Sequence, residues 1–121
     1  MTATPPRRKT ARMVKLVFLC RRRPDITHER YAELLLGGHV PLALRHHPGL
    51  SKYVTNVVEQ RLSPGGEAWD GVAELHLAGQ RDLEHRLFDS PAGERAIRED
   101  IAGFIGRTGA YRVAEYVQKL S

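Results

Sequence analysis

The chain has 121 residues, 41% of them hydrophobic and 27% charged, a size and composition that fit one globular domain with one core. Its formal charge of +5 falls to +1 when the four cations of residues 1–12 are set aside, so the remainder lacks the broad positive field that nucleic-acid binding requires. No apolar run approaches the roughly 18 to 20 residues of a membrane helix. The first twelve residues lack the apolar part of a secretory signal, and the single cysteine, Cys20, excludes an internal disulfide. These features predict a cytoplasmic protein that binds neither nucleic acid nor a membrane.

The first part of the chain reads as a tail, a strand and a helix. Residues 1–12 combine basic residues and prolines without apolar periodicity, which predicts a disordered basic tail ahead of a domain at 13–119. Met13 to Cys20 is apolar and rich in β-formers, as in a buried strand. Thr27 is a suitable N-cap for a helix, and Gly37-Gly38, with a proline close behind, predict where that helix ends.

The rest of the chain alternates strands with short helices. Residues 39–48 are predicted as a connector, and strands follow at 50–60 and 69–77. Within the second of these, alternation places four residues on one face, namely Asp70, Val72, Glu74 and His76. Two helices, at 81–88 and from Ser90-Pro91 to about Ile105, precede a last strand at 111–117.

This order of elements, βαββ(αα)β, predicts an α+β fold with a ferredoxin-like, four-stranded antiparallel sheet and its helices on one face. The opposite face would then be bare, although both faces of the predicted strands carry apolar residues. A second copy of the chain, related by a two-fold axis, is the simplest cover. We therefore expect a homodimer.

Several short motifs resemble the EthD family, which belongs to the dimeric α+β barrel superfamily. They occur in order over about residues 13–119: Tyr31 eight residues before His39-Val40-Pro41-Leu42-Ala43, Pro48-Gly49-Leu50 leading to Tyr53 and Asn56, Asp70-Gly71-Val72-Ala73-Glu74-Leu75, Ser90-Pro91 before a helix with Asp100 and Phe104, and Val113 to Glu115. Members often have a tryptophan four residues before the motif histidine, where this chain has Leu35. The resemblance therefore implies the fold and a pocket, but a pocket of altered shape.

His39 is the first candidate for catalysis, because a neutral-range imidazole can accept or donate a proton. The alternative is that its ring only hydrogen-bonds the backbone and fixes the connector. A hydrogen bond from Asp70 would orient the imidazole. Asp70 and Glu74 could also share a cavity as paired carboxylates, or they could cap a turn and pair with an arginine, respectively.

Tyr53 is a candidate oxyanion donor, with a plain packing role as the alternative. Asn56 lies on the other face of the same strand by strict alternation, so both can line one pocket only if a bulge intervenes. Other candidate ligand-binding residues are Tyr31, Leu35, Asn56, Glu74 and His76. The remaining histidines lack metal-ligand spacing, and no nucleotide-binding motif is present, so we predict no metal and no cofactor.

The resemblance implies chemistry on a small hydrophobic molecule. The leading hypothesis is a cofactor-independent cyclase, isomerase or lyase that acts on a carbonyl-rich, aromatic or polyketide-like compound, with His39 as acid or base, Asp70 as its orienting group and Tyr53 as oxyanion donor. A second hypothesis is a non-catalytic binding or accessory protein with the same pocket. A third, a structural or nucleic-acid partner, would act through the basic tail.

Overall fold

A computed structural model describes residues 13–121, so the predicted tail at 1–12 lies outside the described residues. The sheet has four antiparallel strands, in the order β2-β3-β1-β4. The elements are β1 (Val14–Arg22), α1 (His28–Leu34), a π-helical segment (Leu35–His39), α2 (Val40–His46), β2 (Leu50–Val57), β3 (Gly71–Leu77), α3 (Gln80–His85), α4 (Pro91–Ala102) and β4 (Ile105–Val113). The predicted order of strands and helices and the antiparallel sheet are confirmed. None of the helices within residues 13–121 is long and apolar enough to cross a membrane.

The prediction that the first helix ends at Gly37-Gly38 was wrong. α1, the π segment and α2 follow one another without a break from His28 to His46, so the predicted connector is mostly helical. Pro41 is tolerated because it occupies one of the first positions of α2. Both glycines are exposed and helical, and the favourable burial of neighbouring side chains outweighs the cost of glycine in a helix.

Every fourth residue of this helical stretch is buried, in the series Tyr31, Leu35, His39, Ala43 and His47. A regular α-helix turns by 3.6 residues, so positions four apart would move steadily off one face. The π segment corrects this drift because its wider turn, in which the Val40 N–H donates to the Leu35 carbonyl, takes up an additional residue. The stretch therefore presents one continuous buried face.

The C-terminal boundaries also differ from the prediction. α3 is shorter than expected, and α4 ends at Ala102, so the last strand begins at Ile105 rather than at residue 111. Gly106 and Gly109 lie within β4, where Gly109 is opposite Leu19 of β1 and Gly106 lies at a shift in the register. Hydrogen bonds to β1 stabilise this segment as a strand, although the apolar residues around Phe104 recur at helical spacing.

The register assigns each strand residue to one of two faces. Leu16, Phe18 and Cys20 of β1 face the helices together with Tyr53 of β2 and Leu75 of β3. Buried Tyr31, Leu35 and Phe104 pack against this face to form the core. The opposite face, called here the open face, carries the alternate residues, among them Lys15, Val17, Glu74, His76, Tyr111 and Val113.

Candidate active site

A cavity of about 250 Å³ lies between the helix-covered face of the sheet and the helices. Most of its wall is apolar, formed by side chains such as Leu16, Phe18, Leu35, Leu75, Ile97 and Ile101. The remaining residues of the wall carry polar groups: Cys20, Tyr31, His39, His47, Tyr53, Thr55, Asn56, Arg98 and Thr108. An apolar chamber with a small number of polar groups is the usual form of a small-molecule site.

His39 is held at the end of the π segment and is 8% exposed. Its Nδ1 lies 2.8 Å from Oδ2 of Asp100 on α4, and its ring centroid lies 5.5 Å from that of Phe104. Since a carboxylate only accepts hydrogen bonds, Nδ1 carries the proton and donates it to Asp100. Nε2 has no hydrogen-bond partner in the part of the chain that is described. Nε2 is nevertheless not fully enclosed. Among residues 13–121, His76 Nδ1 is the one side-chain nitrogen or oxygen atom that is both fully enclosed and without a partner.

Asp70 does not orient His39, contrary to the prediction. Its carboxylate accepts hydrogen bonds from the Arg22 backbone N–H at 2.8 Å, from the Arg22 guanidinium at 2.9 Å and from His28 Nδ1 at 2.7 Å. Burial acts to raise the pKa of Asp70, but these hydrogen bonds together hold it below its ordinary value. The alternation of residues in β3 could not predict these partners. It indicates the face on which a side chain lies, but not which element packs against the end of the strand.

The two predicted tyrosines both line the cavity. Burial raises the pKa of Tyr53 to about 12, so its hydroxyl stays protonated and able to donate. Tyr31 is 1% exposed, and burial raises the pKa of its phenol too. Its hydroxyl lies above Gly71, where an added Cβ would collide with it. Burial also raises the pKa of Cys20 to about 11, which keeps its thiol protonated.

Three other predicted ligand-binding residues, Asn56, Glu74 and His76, have side chains on the open face. The Asn56 amide donates to the Val72 carbonyl and to Glu74, and Glu74 also pairs with Lys15 at 3.1 Å. His76 Nε2 lies 3.4 Å from Glu74. The register places Asn56 and Tyr53 on opposite faces, as alternation predicted, although residue Asn56 also belongs to the lining of the cavity without a bulge between the two. The proposed pairing of Asp70 and Glu74 in one cavity was wrong because they lie in separate clusters.

Leu35 lies where family members often have tryptophan, and it contributes to the cavity wall at 5% exposure. His47 lines the same cavity and was missed from the sequence. Its place in the series of buried residues at every fourth position was a usable signal, but its neighbour His46 obscured it. No group of three or more His, Cys, Asp or Glu residues suited to a metal ion occurs among residues 13–121.

The fold and cavity define a ferredoxin-like α+β domain with a buried histidine beside an apolar chamber. The EthD domain model matches residues 23–108, and the chain therefore belongs to the EthD family. It is similar to a solved EthD family protein from Bacillus halodurans C-125, with 25% identity and a TM-score of 0.64 over 85% of this chain and 98% of that one. No curated protein matches the sequence.

Two further solved structures share the fold. A dimeric ferredoxin-like protein from Thermobifida fusca is 18% identical, with a TM-score of 0.59 over 88% of this chain and 93% of that one. A hydroxynitrile lyase from Passiflora edulis is 9% identical, with a TM-score of 0.64 over 97% of this chain and its full length. At these identities the likeness shows the fold alone, and it confirms the predicted fold class.

Proposed function

We propose that this protein is a cofactor-independent cyclase, isomerase or lyase that acts on a hydrophobic, carbonyl-rich molecule. The observation that carries this proposal is His39, which lines an apolar cavity and whose Nδ1 is held by Asp100, while its Nε2 has no partner among residues 13–121. Such an imidazole can remove a proton from an acidic C–H or O–H of the substrate and later return it to another atom. The overall reaction then needs no redox group.

Asp100 takes the role that the sequence suggested for Asp70. Its carboxylate accepts a hydrogen bond from the Nδ1–H of His39, which leaves the lone pair on Nε2 and stabilises the imidazolium formed after proton transfer. Tyr53 is the proposed donor to the substrate oxygen, since its phenol stays protonated in the buried site and carries a hydrogen that can stabilise an enolate. The low-identity likeness to a hydroxynitrile lyase is compatible with lyase chemistry on this fold.

The proposal is tested by finding a substrate and then removing His39. Carbonyl-rich aromatic compounds are screened by thermal shift, and each hit is incubated with the protein and examined by mass spectrometry. His39→Ala should fold but lose turnover by about 100- to 10,000-fold, because the proton-transfer group is gone. His85→Ala is the matched control, since His85 is exposed on α3 and its side chain is 71% accessible.

Full turnover by His39→Ala would overturn the assignment. Recovery of every bound compound unchanged from the wild-type protein would instead support the second hypothesis, a binding or accessory protein.

We also propose that the chain forms a homodimer through the open face of its sheet. Tyr111 is 58% exposed there, and Val113 lies beside it with partly buried Val17. The Thermobifida fusca protein of the same fold is described as dimeric, which supports this arrangement. Light scattering should give twice the chain mass of 13.6 kDa, and Tyr111→Lys should shift the protein towards monomer. Leu44→Lys on α2 is the control, and a wild-type monomer would contradict the proposal.

A further inference from the structure

We propose that His47 is a neutral hydrogen-bond acceptor in the cavity and that it selects ligands carrying a hydroxyl group, such as a phenol or an enol. This inference rests on the proposed function only in placing the ligand in the same cavity. It deepens that proposal because it specifies a polar group that the hydrophobic ligand should carry.

The first step concerns which ring nitrogen of His47 carries a proton. His47 follows α2, and its Nδ1 lies 2.5 Å from the Leu87 carbonyl oxygen. A carbonyl oxygen can only accept, so Nδ1 must be the donor. In a neutral imidazole the other nitrogen, Nε2, then carries a lone pair and can only accept.

The second step concerns the charge of the ring. His47 is 8% exposed and lies 5.0 Å, centroid to centroid, from the Phe88 ring. Burial is the largest influence on its pKa and holds it below the ordinary value, so the ring is neutral at pH 7. A protonated ring would also need an acceptor for a second N–H, and none is present among the described residues.

The third step concerns access to Nε2. Nε2 of His47 has no hydrogen-bond partner in the described part of the chain. It is also not fully enclosed, because His76 Nδ1 is the one side-chain atom there that is both enclosed and unpartnered. We place Nε2 at the cavity because His47 is buried and is one of the residues that line it. A ligand hydroxyl there would satisfy the remaining lone pair.

The two cavity histidines therefore differ in character. His39 has a carboxylate partner that can balance a positive charge, whereas His47 has a carbonyl partner that cannot. Within a mostly apolar wall, a neutral acceptor favours a ligand that supplies a hydrogen-bond donor. A ligand without such a group would have to strip water from Nε2 without replacing its hydrogen bond.

Two probes of nearly equal shape test the proposal: 2-naphthol, which carries a hydroxyl, and 2-methylnaphthalene, which does not. Calorimetric titration gives the ratio of their affinities for each variant. His47→Asn keeps an amide N–H that can reach the Leu87 carbonyl but has no acceptor at the Nε2 position. Relative to wild type, the preference for 2-naphthol should fall by about five- to tenfold, as expected for the loss of one hydrogen bond.

His47→Gln is the matched variant, because its amide oxygen can occupy the Nε2 position, and it should retain part of the preference. An unchanged preference in His47→Asn would overturn the proposal, as would the failure of wild-type protein to bind 2-naphthol. If His47→Asn does not fold, ¹⁵N spectra of wild-type protein replace it. The His47 Nε2 resonance should shift on addition of 2-naphthol but not of 2-methylnaphthalene, and equal responses to both would overturn the proposal.

These outcomes are separable from those of the proposed function. A preference for 2-naphthol that depends on His47, in a protein that converts no compound, would leave this inference intact while the catalytic proposal fails. If turnover depends on His39 but the affinities for the two probes do not change when His47 is replaced, the catalytic proposal stands and the inference about His47 fails.

Discussion

Of the three histidine–aspartate pairs among residues 13–121, two contain one buried partner each and differ in which partner is buried. His28 Nδ1 lies 2.7 Å from Asp70, and His39 Nδ1 lies 2.8 Å from Asp100. In the first pair the carboxylate is buried, with a side chain 3% exposed, and the histidine is 33% exposed. In the second pair the histidine is buried, and the Asp100 side chain is 37% exposed.

This contrast separates a structural pair from a candidate catalytic one. Asp70 accepts hydrogen bonds from two parts of Arg22 as well as from His28, so it ties the end of β1 and the start of α1 to the start of β3. His39 instead lines a cavity and has one ring nitrogen without a partner in the described part of the chain. We infer that the first pair contributes mainly to the free energy of unfolding and the second mainly to turnover.

The largest expected effect on stability is that of Asp70→Asn. The change removes a buried charge and leaves its donors incompletely paired, so the free energy of unfolding should fall by about 3 kcal/mol. Urea denaturation followed by circular dichroism measures this value. Asp25→Asn is the control, because the Asp25 carboxylate is exposed and its salt bridge within residues 13–121 is with exposed Arg23. Equal free energies of unfolding for wild type and Asp70→Asn would contradict the structural role of the His28–Asp70 pair.

The same variant makes the contrast depend on pH. The pKa of Asp70 in the folded protein is lower than that of an ordinary aspartate. The Asp70 charge therefore stabilises the fold at pH values above the ordinary pKa, and this stabilisation is lost as the pH falls through the lowered pKa. The stability difference between wild type and Asp70→Asn should therefore narrow between about pH 5 and pH 2. A difference that stays constant over this range would show that the charge is not involved.

Asp100→Asn should have the opposite profile. Asparagine can still accept from His39 but lacks the charge that stabilises the imidazolium, so turnover should fall by about 10- to 100-fold. The partly exposed pair contributes little to stability, and the free energy of unfolding should change by less than about 1 kcal/mol. Steady-state kinetics on a substrate found by the screen, alongside denaturation, measure both. A large loss of stability without loss of turnover would contradict the catalytic role.

The smallest expected effect is that of His28→Gln. His28 is a third exposed, and Arg22 remains bound to Asp70 after the change, so the free energy of unfolding should fall by about 1 kcal/mol or less. Thermal unfolding of this variant beside Asp70→Asn shows which partner of the carboxylate dominates. A loss equal to that of Asp70→Asn would mean that Arg22 contributes nothing.

The sequence predicted the fold better than the details of the site. The alternation in β3 and the apolar run of β1 are local properties, and they were sufficient for the sheet and its two faces. The end of the first helix was not predictable from Gly37-Gly38, because two glycines by themselves favour helix termination. The helix continues because the residues on its opposite side are buried against the core. The same reliance on local propensity placed the start of β4 too late.

For the site, His39 could be singled out from its chemistry, whereas its partner could not. Asp70 and Asp100 are both aspartates near plausible positions, and only the packing of α4 against the π segment brings Asp100 to the imidazole. His47 required the four-residue period of the buried positions to be recognised across a π segment. Both misses arise because the site is assembled from contacts distant in sequence.

The π segment has a consequence for how this protein tolerates changes in length. Deleting one residue from Leu35–His39 would remove the additional residue that the wide turn takes up, so an ordinary α-helix could form there. Tyr31 and His39 would then be seven positions apart, a spacing that keeps both side chains on one face of an α-helix. Inserting a residue would instead rotate the residues before it by about 100° relative to those after it, and Tyr31 or His39 would leave the wall of the cavity. This stretch should therefore tolerate a deletion better than an insertion, whereas the loop between β2 and β3, at residues 58–70, has exposed positions that can absorb both.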